Sequence, residues 1–174
     1  MNLVELARKT IEFSFKKEAF QPDEETKRKY KSVQSSFVTL TINNELRGCI
    51  GSLLPRQELY KDVQENAINA SFHDSRFPKL KESELKSIKI EVSILSEPKR
   101  LYYKNEQDLL NRLFKDMGII LRKGHSSATF LPQVWEQLKD PKEFLEHLSQ
   151  KAGLDKDAWK TADIYYYMVN VEEE

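Results

Sequence analysis

Val38, Leu40 and Ile42 alternate with Thr39 and Thr41, two asparagines follow at positions 43 and 44, and a second apolar run begins at Leu46. Successive side chains of a strand point to opposite faces, so this alternation describes a strand with one buried face. A two-residue asparagine link is hairpin chemistry, because both central residues of such a turn need positive φ. Residues 37–42 and 46–53 are therefore expected to pair antiparallel. Ile88, Ile90, Val92 and Ile94 alternate with Lys89, Glu91 and Ser93, which places 88–95 as a third strand in the same sheet. A carboxylate such as Glu91, opposite the aliphatic face, is expected to meet solvent.

Helical spacing frames these strands. Leu3, Val4, Leu6, Ala7, Ile11 and Phe15 recur at three- and four-residue steps, and Pro22 lies beyond the stripe as a stop. The polar stretch 23–36, with Asp23-Glu24-Glu25 leading into Lys27-Arg28-Lys29, reads as a solvated connection. Leu59, Val63, Ala67 and Ala70 describe a second helix over 57–72, with Asn66 on the same stripe. A buried amide needs hydrogen-bond partners, so Asn66 either ties backbone together in the core or faces a polar pocket. Further on, 106–117 reads as a helix closed by Gly118, 118–121 and 128–131 as short strands around a Gly124-His125-Ser126-Ser127 turn, a helical piece begins at Pro132, and a second helix starts with Pro141 after Asp140 and runs to Gly153. The run 164–171 is apolar on both faces and is expected to be a well-covered strand. Helices and strands interleave without a regular βαβ period, which predicts an α+β fold: a mostly antiparallel sheet flanked by helices, one domain over 1–174.

Composition removes several function classes. Twenty-eight basic and 28 acidic residues cancel, so no global field attracts nucleic acid. One cysteine makes no internal disulfide, and residues 1–20 hold no uninterrupted apolar core, so neither a leader nor a membrane span is expected and the protein reads as cytoplasmic. Dinucleotide, Walker, His-Glu-x-x-His and Cys-x-x-Cys motifs are missing, and His73, His125 and His147 are too scattered for a metal site, so no metal is expected and the cofactor is left open.

The chemistry concentrates in Leu46-Arg47-Gly48-Cys49-Ile50-Gly51. Plain alternation puts Arg47, Cys49 and Gly51 on one face, where a guanidinium beside a thiol would favour the thiolate. Glycines inside a strand mark a bulge or a close approach of backbone or ligand. Cys49 and Arg47 are thus the candidate reactive pair, with Gly48 and Gly51 opening space beside them. Asn66 and Arg76 are candidate charge stabilisers and His73 a candidate base. Asp74 and Arg76 are spaced to brace each other across the loop that follows the second helix. The competing reading is structural: a lone cysteine commonly behaves as a small buried hydrophobe.

Six blocks in register resemble one known family. Leu46–Gly51, Asn66-Ala67, Asp74–Pro78, Ile90–Ser96, Ala128–Val134 and Lys151–Leu154 are similar to successive blocks of the AMMECR domain, called AmmeMemoRadiSam system protein A in prokaryotes. The resemblance covers nearly the whole chain. It implies two unequal lobes with the cysteine motif near a groove between them. It also implies association with a Memo-like protein and a radical-SAM protein in a shared modification pathway. Together with the cysteine motif this leads to the expectation of a cysteine-centred groove that acts on or binds a small molecule or a modified nucleoside. By position it carries over Arg47, Gly48, Cys49, Gly51, Asn66, Asp74, Arg76 and Phe77, with the last five of the earlier candidates, Gly48, Gly51, Asn66, Asp74 and Arg76, as substrate-binding residues. His73 falls outside its blocks. The alternative to an active protein is a non-catalytic adapter that binds a partner protein, with Cys49 buried for packing.

Overall fold

The computed structural model describes residues 1–174, which divide into two compact units, Met1–Leu95 with Asn170–Glu174 and Ser96–Val169. The fold is α+β, and the strand pairs within each unit are antiparallel.

The first unit opens with α1 (Leu3–Phe15), the expected amphipathic helix. Asn2 accepts the Glu5 N–H and Glu5 returns a carboxylate to the Asn2 N–H, a capping box that satisfies two otherwise unpaired donors. The stretch expected as a connection instead forms α2 (Glu24–Lys29), capped by Asp23. Its charge order, acids in the first turn and bases in the last, complements the helix dipole, which is the physical reason a run read as solvated linker is helical.

Strands β1 (Ser35–Ile42) and β2 (Glu45–Gly51) form the expected hairpin through Asn43 and Asn44, whose φ values are 52° and 64°. Helix α3 (Leu59–Phe72) and strand β3 (Lys89–Leu95) follow, and β1 pairs with β2 on one side and β3 on the other. Val38, Leu40, Ile90 and Val92 pack against Leu3, Leu6, Ala7 and Ile11 of α1 and Leu59, Val63, Ala67 and Ala70 of α3, so the helices cover one face of this sheet. Each such aliphatic side chain, fully removed from water, contributes about 1.5–3 kcal/mol. The C-terminal residues are tied to this unit: the Glu174 carboxylate pairs with Arg8, which also donates to the carbonyls of Leu85 and Ile88 at 2.9 and 2.8 Å.

The second unit contains β4 (Lys99–Arg100), α4 (Glu106–Arg112), β5 (Met117–Lys123), β6 (Ser126–Phe130), α5 (Pro141–Lys151) and most of β7 (Asp163–Glu173). Strand β7 pairs with β4 and β5, and β5 with β6. Ile119, Leu121 and Ile164 face a core with Phe144, Leu145 and Leu148 of α5 and with Trp135 and Trp159. Gly118 ends no helix: α4 stops at Arg112, and Gly118 sits inside β5 because a β-carbon there would lie 2.2 Å from the Tyr167 ring. Strand β7 is less covered than its apolar sequence predicts. Ile164 and Tyr167 are buried and Tyr165 and Tyr166 half-buried, whereas Met168 and Val171 are exposed.

Candidate functional site

The hairpin register contains one irregularity, and it decides where the only thiol points. Ile42 pairs with Glu45 and Thr41 with Leu46, but Leu40 then pairs with Gly48 and Thr39 with Cys49. Arg47 is the extra residue of a β-bulge. Carried on without the bulge, the turn's register would set Cys49 opposite Val38, on the face covered by the helices. The one-residue shift turns it to the Thr39 face, since a slip of one residue exchanges the faces of a strand. Cys49 is accordingly half-buried, and the Thr39 hydroxyl donates to its sulfur at 3.3 Å. Thr39 also pairs with Glu91 of β3, so Cys49, Thr39 and Glu91 form one row across three strands. Glu91 is half-buried here rather than fully solvated, and it accepts the Ser93 hydroxyl at 3.2 Å.

The expected pairing of Arg47 with the thiol is not formed. Arg47 leaves the alternation at the bulge, and its guanidinium binds both carboxylate oxygens of Glu84 at 2.8 and 3.0 Å and the carbonyls of Pro78 and Lys79. The Arg47 hydrogen bonds, with the Lys81 N–H, hold the Glu84 carboxyl below its ordinary range although partial burial opposes this. Arg47 anchors the bulge to the segment after α3.

The two glycines make room for protein, not for an open space beside the thiol. A β-carbon on Gly48 would lie 2.2 Å from the carbonyl oxygen of Ala70 in α3, and one on Gly51 would lie 2.2 Å from the Phe37 ring. Close approach at Gly48 sets the end of α3 beside β2. The residues that follow then seal the outer edge of that strand. Asp74 accepts the Cys49 N–H at 2.9 Å, and Arg76 donates to the Cys49 carbonyl at 3.1 Å while gripping Asp74 through two further guanidinium contacts. Asp74 and Arg76 thus bond the strand as a neighbouring backbone would, a protected edge. Arg76, opposed by burial and aided by the Cys49 and Arg76 N–H groups, holds the Asp74 carboxyl far below its ordinary value. Phe77 lies against this clasp, with the Arg76 guanidinium 5.4 Å from its ring centre. His73 is exposed at the end of α3 and its ring makes no hydrogen bond.

Asn66 takes the core-tying role. It is 5% exposed and donates to the Ser36 carbonyl and hydroxyl and to Asp62. Asp62, which the sequence reading passed over, collects four donors: the Ser36 N–H and hydroxyl, the Ser52 hydroxyl and the Asn66 amide. Its signal was present, for it lies one turn after Leu59 and one turn before Asn66 on the same stripe. Asn66→Leu should destabilise the protein by about 1–3 kcal/mol by leaving these acceptors unpaired. Urea unfolding checks it, and an unchanged midpoint would show the amide to be dispensable.

No group of three or more His, Cys, Asp or Glu side chains is placed to hold a metal ion, and no helix is long and apolar enough to cross a membrane. The profile of the AMMECR1 family matches residues 4–172. Protein NEQ441 of Nanoarchaeum equitans is 35% identical, covering 100% of this chain and 99% of its own. Protein MK0488 of Methanopyrus kandleri is 38% identical over 99% of this chain and 86% of its own. The crystal structure of uncharacterized protein PH0010 from Pyrococcus horikoshii superposes with a TM-score of 0.86 at 32% identity, covering 99% of this chain and 89% of that one. The match over residues 4–172 and these full-length relatives give one assignment: the chain belongs to the AMMECR1 family.

Proposed function

We propose that the protein is a cytoplasmic component of a Memo- and radical-SAM-associated modification system, and that its Cys49 face holds or acts on a small molecule or a modified nucleoside. The bulge at Arg47 carries this reading. Bulges recur next to functional sites because they re-aim a side chain, and this one moves a thiol off the core face. A cysteine kept for packing would gain from the unshifted register, which the bulge forfeits. Three further features support a working sulfur. The Thr39 hydroxyl donates to it, which fixes the sulfur on this row. Asp74 and Arg76 fix the Cys49 backbone on both its polar groups. Glu91, on the same row, supplies a half-buried carboxylate for a polar ligand group.

The partners follow from the family resemblance, and the test uses them. The chain is co-expressed with its Memo-like and radical-SAM neighbours, purified without denaturation and weighed by native mass spectrometry beside Cys49→Ala. The wild type should retain an added small-molecule mass that Cys49→Ala lacks. An identical spectrum for the two proteins would reject the Cys49 face as the ligand site.

A further inference from the structure

The second unit carries an arrangement that the Cys49 reading does not use. In the rows across β4, β7 and β5, Arg100 pairs with Tyr165 and Tyr165 with Ile120, while Asp163 pairs with Arg122. These side chains share the face opposite the α5 core, which takes Ile119, Leu121 and Ile164 from the alternate positions. The Arg122 guanidinium stands 4.9 Å from the Tyr165 ring centre, and the Arg100 guanidinium 5.6 Å from that of Tyr102. Tyr102 is 74% exposed. Arg100 shares its charge with Asp163. Arg122 differs from Arg8, Arg47, Arg76, Arg100 and Arg112, each of which is paired with a carboxylate: it is half-buried, makes no ion pair and donates no hydrogen bond to the protein.

A guanidinium held over an aromatic ring and without an ion pair keeps its N–H donors for a phosphate. Tyr102, exposed beside Arg100, whose partner Asp163 lies opposite Arg122 in the β5–β7 register, offers a face on which any base can stack. We propose that this face binds a nucleotide, with the phosphate on Arg122, assisted by Arg100, and the base on Tyr102. The shared chemistry is a nucleobase joined to a phosphate, supplied either as a free nucleotide or within a single strand of RNA. The zero net charge is no obstacle, because the charge that matters is local: two arginines against one aspartate. An acidic peptide would use the arginines without needing Tyr102.

The test titrates the full chain with 5′-AMP, inorganic phosphate, an adenosine hexanucleotide RNA and a hexaglutamate peptide, followed by calorimetry. AMP should bind saturably, and phosphate alone should bind about tenfold more weakly or worse. Arg122→Gln and, as a variant at an exposed position that leaves packing intact, Tyr102→Ala should each weaken AMP binding by about tenfold. Tighter binding of the hexanucleotide than of AMP assigns the site to RNA, and equal binding assigns it to free nucleotides; both support the proposal. Absence of saturation by AMP, equal binding of phosphate or hexaglutamate, or AMP affinity unchanged in both variants would overturn it. None of these outcomes depends on Cys49, so the two proposals stand or fall separately.

Discussion

Gly48→Ala should cost about 3 kcal/mol of stability, near the upper end for an overpacked core position. The added methyl would lie 2.2 Å from the Ala70 carbonyl oxygen and 3.2 Å from its carbon, and both belong to backbone that a rotamer change cannot move. Either β2 or α3 must shift, and the first bonds to lengthen are those from Asp74 and Arg76 to Cys49, since both residues hang from the end of α3. For a chain of this length the loss corresponds to a fall in Tm of roughly 6–12 °C. Thermal unfolding measures it, and a Tm equal to the wild type's would mean that the helix does not press on the strand. The same substitution at Gly124 or Gly153 would meet no neighbouring atom, although both hold positive φ, so steric overlap is specific to the strand glycines.

Asp74→Asn should destabilise the folded protein by about 2–3 kcal/mol at neutral pH, the scale of charge-assisted hydrogen bonds. The carboxylate accepts the Cys49 N–H, the Arg76 N–H and two guanidinium contacts, and an amide oxygen replaces only part of that set. The effect also has a pH signature. Arg76 depresses the Asp74 carboxyl in the folded state, so the unfolded chain binds more protons there wherever the two states differ. The stabilisation is therefore fully present above about pH 4, the unfolded value, and is lost as pH falls toward the depressed folded value. The gap between wild type and Asp74→Asn should stay constant from neutral pH down to about pH 5 and narrow below about pH 4. Urea unfolding at a series of pH values reads this directly, and a gap that ignores acid would show that the carboxylate charge contributes nothing.

The patterned parts of this fold were legible in the sequence for a simple reason: periodicity reports which face is buried. The α1 stripe, the hairpin and β3 are all found where alternation and helical spacing place them, and Asn43-Asn44 names its own turn. Where a signal had two meanings, the reading failed. Gly118 looks like a helix end but answers to the Tyr167 ring, and the charge run of α2 looks like a linker but matches a dipole. The candidate site was legible in its membership and not in its geometry. Leu46–Gly51, Asn66 and Asp74–Phe77 do gather around β2 and α3, yet alternation from Arg47 to Cys49 presumed an unbroken ladder. A bulge leaves no trace in hydrophobic pattern, because the extra residue is fixed by contacts from Glu84, Pro78 and Lys79, more than thirty positions away. The Thr39 partner of the thiol became visible only with that shift.

That shift also sets the decisive measurement, because a bulge that turns Cys49 off the core face should present a usable thiol. Native protein is treated with iodoacetamide at neutral pH and followed by intact mass, beside Thr39→Val, Arg47→Met and the urea-denatured chain. Native Cys49 should be alkylated without unfolding. Thr39→Val should slow the reaction, through loss of the hydroxyl that donates to sulfur. Arg47→Met should lower stability, while the thiol of the protein that remains folded reacts at its usual rate, since the Arg47 guanidinium is committed to Glu84 and two carbonyls. Native Cys49 that stays unmodified while the denatured chain reacts at once would contradict the claim, and would make the thiol a packing residue after all.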